Sequence, residues 1–553
     1  MAQTAPDAGE ILKTVPPPAA RPDVGPSIED KFSKTRAITD VEGMRLEIKG
    51  FRIVGLTIAS ESEMTEALAP FVGKDKRFQD LLDAAAVVRR EIAGRGYFLA
   101  DVVVPEQKIV DGVVELRVLE GRLGKVRLDV AREVSINRSL LESYLESLEE
   151  GGLIQTSVVE RALFQIHDLR GIVATSSFAP GTAAGTADLT IRVSAGKKLD
   201  ANIDFDANGS IYTGLHRIGA GVDGNGLLGF GEIISLRATN AIDGNLRFAR
   251  ASVLFPVGRW GTKLGAAYSE LKYRLGMPQF EGIKAGGAAA VNSLTVIHPF
   301  VRSRNTNLML IAQHDKRKFY DYKLGVSPVE ETLKKTDVSS LALSGDFRDR
   351  LGGGGINVFN AAYTLGELKF GNSTLEGTDQ GPSGHKTKGL YGKTNISLSR
   401  LQAVSERMAL FGSYSQQFTN KNLDPSEKFS LGGPNAVRAY PQGEGAGDEG
   451  YFASLELRYR LPLEESLPGS LVLAGFYDFG SSILIKRPTL AELTSATPTP
   501  LRRRIAGPGI GLNWEVPNDW YLRTTLAFRD TTRATADHLL RYPRFYFQFS
   551  KFF

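Results

Sequence analysis

Histidine is the first residue type to test for chemistry. The six in this chain, His167, His216, His298, His314, His385 and His538, show no metal-ligand spacing. Cysteine is absent, which removes thiolate metal sites, disulfide scaffolds and cysteine nucleophiles. Gly224-x-Gly226-x-x-Gly229 has the glycine spacing of a dinucleotide fingerprint, but strand-like sequence flanks it and no helix follows, so it reads as a turn. Gly352 to Gly355 lacks the Lys-Ser/Thr that completes a phosphate loop. No Ser-His-Asp set and no paired carboxylates stand out. The sequence therefore predicts no catalytic residues, no metal and no cofactor. Its 67 basic and 62 acidic residues leave a net charge of only +5, with no basic arm or Arg-rich helix, which argues against nucleic acid. A small basic surplus suits an acidic partner or anionic lipid headgroups.

With enzymatic chemistry set aside, the elements themselves carry the reading. A chain of 553 residues predicts two to four units. No apolar run of about 18 residues is present, so no transmembrane helix is expected. Met1-Ala2-Gln3-Thr4-Ala5-Pro6 has no apolar core and reads as a mature export product with an initiator Met added. Residues 1–45 are polar and Pro-rich. Glu10 to Lys13 suit one or two helical turns, Pro16-Pro17-Pro18 stops them, and a linker is expected to Asp40.

Residues 46–196 contain a repeat. Leu46 to Leu56 alternates like a strand. Ser60 to Phe71 reads as a helix capped by Ser60 with Glu63 three positions later. Phe78, Leu81, Leu82, Ala85, Val88 and Ile92 share one helical face, ended by Gly94 and Gly96. Strands follow at 97–104 and 112–119. The same β-α-α-β-β order recurs over residues 124–196, so two tandem units are expected, at 46–127 and 128–196.

From residue 197 onward helical periodicity gives way to alternation between turns rich in Gly, Asp, Asn and Pro. Sixteen strands are expected, at 199–210, 214–223, 230–240, 245–257, 260–275, 289–301, 306–320, 336–349, 354–369, 387–399, 406–418, 450–463, 468–484, 504–516, 519–530 and 543–553. Their length suits tilted membrane strands, and an even number closes an up-and-down barrel with both ends on one side. Trp260, Trp514 and Trp520 fall near strand ends, as interfacial girdle residues do. The predicted class is thus an α+β N-terminal half followed by an all-β, antiparallel, 16-stranded transmembrane barrel over 197–553.

Several motifs give this plan a family. Gly94-Arg-Gly-Tyr-Phe-Leu-Ala-Asp-Val-Val-Val-Pro-Glu-Gln107, with Gly112 and Leu116-Arg-Val-Leu-Glu-Gly121, resembles a first periplasmic POTRA domain, and residues 128–196 resemble a second. Val437-Arg438-Ala439-Tyr440, between the eleventh and twelfth strands, is similar to the Val-Arg-Gly-Tyr loop motif of the POTRA-barrel superfamily. Phe476-Tyr-Asp478-Phe-Gly480, on the thirteenth strand, is similar to that superfamily's barrel-wall motif. Together they resemble the TpsB transporters of two-partner secretion, relatives of the haemolysin and filamentous-haemagglutinin exporters. The departure is Ala439 where the family has Gly, which puts the loop-tip geometry in question.

The residues support that placement. On strand 468–484, Leu471, Leu473 and Tyr477 share the lipid-side parity, so Asp478 and Gly480 face the lumen, where a carboxylate is tolerated. Arg438, on the long loop 419–449, is placed to reach in and supply a bidentate fork. The resemblance implies a Gram-negative outer-membrane pore that binds an unfolded TpsA-like exoprotein through POTRA surfaces and exports it without ATP. It implies outer-membrane lipids and secreted cargo as partners and a monomer as the working unit. The short helix within 1–45 is a possible pore plug. A barrel-assembly factor of the same superfamily is the alternative, and a passive porin a weaker one, since a porin needs no periplasmic half.

Overall fold

The computed structural model describes residues 6–15, 28–30, 45–183, 185–326, 328–494, 500–530 and 542–553. The start of the chain, the Pro16–Pro18 stop and most of the expected linker lie outside those residues. The first helix is α1 (Ala8–Lys13), capped by the Asp7 carboxylate, which accepts from Glu10 N at 2.9 Å. Six residues are too few for a stable isolated helix. Burial of Ala8, Gly9 and Ile11 supplies what length does not. Within the stretch expected to be linker, residues 28–30 form a short strand, β1 (Ile28–Asp30).

The first α+β unit runs β2 (Leu46–Ile48), β3 (Gly50–Val54), α2 (Glu61–Leu68), β4 (Gly73–Lys76), α3 (Phe78–Gly94), β5 (Asp101–Val103) and β6 (Val113–Leu119). β6 is central, parallel to β3 and antiparallel to β5. Strand β4, absent from the expected β-α-α-β-β order, forms a separate two-stranded sheet with β2. α2 begins as expected, with the Glu63 side chain accepting from Ser60 N at 3.3 Å. That backbone donor and then Arg95 hold the Glu63 carboxyl below its usual range. α3 buries Ala84, Ala85, Val88 and Ile92 in a core shared with Met64, Leu68, Leu116 and Val118. Gly96 follows at φ +94°, a conformation that favours glycine as a helix stop.

The second unit consists of β7 (Arg122–Val130), α4 (Arg138–Leu145), α5 (Thr156–His167), β8 (Ile172–Pro180) and β9 (Thr186–Ala195). The expected boundary at 127/128 is corrected by β7, which crosses it and pairs in parallel with β9 from Arg122 onward. The boundary therefore falls at 121/122. The sheet order is β1-β8-β9-β7, so the N-terminal segment adds a strand to the β8 edge.

The barrel comprises β10 (Leu199–Asp206), β11 (Arg217–Asn225), β12 (Ile233–Ala241), β13 (Leu246–Val257), β14 (Thr262–Arg274), β15 (Ala285–Arg302), β16 (Thr306–Lys323), β17 (Glu330–Asp349), β18 (Gly355–Phe370), β19 (Gly389–Ala403), β20 (Met408–Thr419), β21 (Glu449–Leu461), β22 (Ser470–Ile483), β23 (Arg502–Val516), β24 (Trp520–Ala527) and β25 (Arg544–Phe552). Each pairs antiparallel with the next, and β25 closes on β10 from Asn202↔Phe552 to Asp206↔Gln548. All sixteen expected strands are present. β15, β16 and β17 are longer than expected because ladder pairing continues past the apolar belt into polar positions.

Two kinds of connection mark the two ends. Turns on the side of the α+β units are short, at 226–232, 258–261 and 303–305. The opposite, outer end carries the longer connections, among them those with α6 (Pro278–Glu281), α7 (Ser373–Gln380) and α8 (Leu490–Thr494). The longest, 420–448, belongs to this outer end but folds back inside.

Candidate functional site

The returning loop defines the site. On β22, Ala474, Phe476, Asp478 and Gly480 are buried while Leu473, Tyr477 and Phe479 are exposed to the outside, as alternation requires. Asp478 is fully buried. It accepts from Arg438 Nε at 2.8 Å, Arg438 Nη2 at 2.7 Å and Arg438 backbone N at 3.1 Å. Ser454, directly opposite on β21, donates its hydroxyl to the same carboxylate at 2.7 Å. The third guanidinium nitrogen meets Glu456 at 2.8 Å, and Glu456 also pairs with Arg458 at 2.7 Å. The Arg438 guanidinium carbon lies 3.4 Å from the Phe476 ring centroid, a cation–π contact. Each nitrogen of the planar fork thus has a partner, an arrangement a lysine would not reproduce.

The other motif residues lock the same joint. Val437 and Tyr440 are fully buried with Leu431, Phe452, Phe476, Ile505 and Ala527. The Tyr440 carbonyl accepts from Tyr546 Oη on β25 at 3.1 Å. A Cβ at Gly480 would stand 2.5 Å from the Tyr451 carbonyl and 2.7 Å from Leu431, so only glycine admits the loop there. Ala439, the departure from the resembled loop motif, is not at positive φ. Its methyl fills the space over Gly507, where an added Cβ would stand 2.7 Å away. The small residue opposite accommodates the methyl. On the side of this joint toward the α+β units lies a lumen cavity of about 1270 Å³, lined among others by Asn435, Arg438, Arg458, Arg523 and Gln548.

A second contact in the lumen joins α1 to the loop and wall, and sequence reasoning did not find its partners. Lys334 on β17 pairs with Asp7 at 2.6 Å and with Asp424 of the loop at 2.8 Å. Ala8 N donates to Asp321 at 2.8 Å, and Lys13 Nζ donates to the carbonyls of Pro425 at 2.6 Å and Lys428 at 2.9 Å. Arg217, itself bound to Asp206 at 2.8 Å, donates to the Thr14 carbonyl at 2.7 Å. Gly9 is required, since a Cβ there would stand 2.4 Å from Ser426 Cβ. The available signal was a set of charged residues at lumen-parity positions, such as Lys334 and Arg317. Their partners lie 90 and 110 residues away, at Asp424 and Glu427.

The second α+β unit is docked on the barrel's near rim. Asp168 takes a bidentate fork from Arg302 at 2.7 and 3.0 Å. Arg259 pairs with Glu146 at 2.8 Å, and Trp260 sits between Arg161 and Arg259, with guanidinium carbons 5.2 and 5.1 Å from the ring centroid. The glycine-rich stretch Gly224–Gly229 forms part of a rim turn. Its tip donates no phosphate cradle but offers the Gly229 carbonyl to Asn137 N at 2.7 Å. Of the described histidines, His385 pairs with Glu492 at 3.0 Å and His314 with Asp337 at 3.2 Å. No metal-binding group of His, Asp and Glu exists among the described residues.

Two α+β units on a 16-stranded barrel, with an Arg-bearing loop fastened to an Asp inside the wall, define an outer-membrane transporter whose N-terminal domains stand in the periplasm. Residues 185–497 match the family model of the haemolysin secretion/activation proteins ShlB/FhaC/HecB, and residues 46–121 match the ShlB-type POTRA domain. The chain belongs to the ShlB/FhaC/HecB family of two-partner secretion transporters. The heme/hemopexin transporter protein HuxB of Haemophilus influenzae (strain 86-028NP) is 25% identical over 493 residues, covering 87% of this chain and 84% of its own. The outer membrane transporter CdiB of Dickeya dadantii (strain 3937) is 21% identical, covering 77% and 74%. The structure of CdiB from Escherichia coli superposes with a TM-score of 0.68 at 20% identity, covering 95% of this chain and 93% of its own. BamA from Haemophilus ducreyi, lacking POTRA domains 1–3, gives a TM-score of 0.55 at 16% identity, covering 92% and 100%. The barrel fold is therefore shared with BamA, and the family match separates this chain from it.

Proposed function

We propose that the chain receives an unfolded exoprotein on its two POTRA units and passes it through the barrel lumen to the cell surface. In this reading α1 plugs the lumen at rest and the Val437–Tyr440 joint holds loop 420–448 in its working position. The observation that carries it is the joint itself: a long outer loop turned inward and fastened by a buried Arg438–Asp478 pair leaves a lumen cavity open toward the POTRA side. No nucleotide motif is present in the sequence, so cargo folding outside supplies the drive. POTRA sheets offer strand edges to an extended peptide. The β8 edge is already paired with β1, so cargo that adds there must displace the chain's own strand. The barrel closes within one chain, so one copy suffices as the working unit.

The test is co-expression with the cognate exoprotein in a host lacking both. The full chain should release the exoprotein to the medium. Deletion of 46–121 or of 122–196 should leave the barrel in the outer membrane and abolish release. Normal release after either deletion removes the receptor role from that unit.

A further inference from the structure

Secretion uses the inside of the barrel, yet part of the outer wall sets lysines directly opposite one another on three neighbouring strands. Lys318 on β16 lies directly opposite Lys335 on β17, and Lys335 lies directly opposite Lys369 on β18. Such pairs have Cβ atoms about 5 Å apart, and like charges so placed destabilise a sheet unless something offsets them. Lys369 has Glu367 at 2.7 Å. In the next row toward the periplasm, Lys316 faces Asp337, whose carboxylate is also approached by His314 at 3.2 Å and stands opposite Glu367 on β18. Lys316, Lys318 and Lys335 are exposed and make no ion pair among the described residues.

Their height on the wall is fixed by their neighbours. Closer to the periplasm, the same outward face becomes apolar: Leu294, Leu341, Tyr363 and Leu365 are all more than half exposed to the outside. The lysines thus stand at the outer edge of the lipid-facing belt, on the end of the barrel away from the POTRA units. A second observation adjoins them. An open groove of about 810 Å³ runs along the outer wall, floored by Ala251 and Ala266 between Leu236, Tyr268 and Leu294. Asn292, His314 and Lys316 line its end nearest the lysine row. Alanines among large apolar side chains leave this channel in the wall.

We propose that this wall is a binding site for a phosphate-bearing lipid of the outer leaflet. The phosphate sits on Lys316, Lys318 and Lys335, and one acyl chain lies in the alanine-floored groove. Charge complementarity selects the headgroup, the groove selects a lipid over a free anion, and the position selects the outer leaflet.

The test is native mass spectrometry of the full chain in mild detergent with bis-phosphorylated lipid A, the same lipid stripped of phosphate, or inorganic phosphate. The wild type should retain the phosphorylated lipid at least tenfold better than the stripped lipid, and inorganic phosphate should not displace it. K316Q/K318Q/K335Q should lose retention at least tenfold. Ala251→Phe, which fills the groove without touching a charge, should also lose it. Both variants should keep the heat-dependent gel shift of a folded barrel. Equal retention by the lysine variant, equal binding of the stripped lipid, or displacement by inorganic phosphate would each overturn the proposal.

Discussion

Replacing either member of the Arg438–Asp478 pair should free the loop, but not equally. Arg438→Ala leaves Asp478 fully buried with only Ser454 Oγ and the residue 438 backbone N–H as donors, so an anion stays without a countercharge. Breaking a buried pair costs about 3–5 kcal/mol. The lower end applies, because the Arg438 side chain keeps 15% exposure toward the lumen cavity. About 3 kcal/mol is roughly a 150-fold change in an opening equilibrium. Asp478→Ala leaves Arg438 its Glu456 partner at 2.8 Å and its ring contact, so the cation stays compensated. The loss there is about 1–2 kcal/mol, a factor of roughly 5–30. The double variant removes both charges and leaves Glu456 with Arg458, so it should be no worse than Arg438→Ala alone. Hydrogen exchange of the amides in 431–447, measured on the full chain in detergent, reads these openings directly. Barrel amides should be unchanged, since closure rests on strand pairing. Greater loss in Asp478→Ala than in Arg438→Ala, or losses that simply add in the double variant, would refute the reasoning.

Other outcomes follow from the contacts around α1 and the POTRA units. Gly9→Leu, which collides with Ser426, should expel α1 and raise single-channel conductance in planar bilayers to the level of a chain lacking residues 2–15. Unchanged conductance would remove the plug role. Lys334→Ala should raise conductance less, since it breaks one of several anchors and leaves the contacts of Lys13 and Thr14. Arg302→Ala should broaden the spin-label distance distribution between the second POTRA unit and the rim while leaving the barrel folded. An unchanged distribution would show that Trp260 and the rim carbonyls suffice for docking.

The parts legible in the sequence are those set by local pattern. Strand alternation gave the sixteen barrel strands, because lipid on one side and lumen on the other impose period two on every strand. The capping residues Ser60 and Glu63 and the stop at Gly96 placed the helices of the first unit. The parity of Leu473, Tyr477 and Asp478 on β22 turned the carboxylate inward before any contact was visible. What escaped depended on distance along the chain. Lys334 shows nothing in its own segment to indicate Asp7, 327 residues away. Strand β4 escaped because Gly73-Lys-Asp-Lys76 has no apolar alternation, and it pairs only at the short β2. The repeat read over 124–196 already contains most of β7, and its start at Arg122 is set by pairing with β9, since β6 and β7 follow one another with almost no turn.

The central claim is that cargo crosses inside this barrel, and the absence of cysteine makes it directly testable. Gln548 faces the lumen cavity and Phe549, the next residue on β25, faces outward. A cognate exoprotein carrying one cysteine, stalled by a stably folded C-terminal domain, should form a disulfide with Gln548→Cys and none with Phe549→Cys. Disulfides at Phe549→Cys, or none at Gln548→Cys while a stalled chain is exposed at the cell surface, would contradict transport through the lumen.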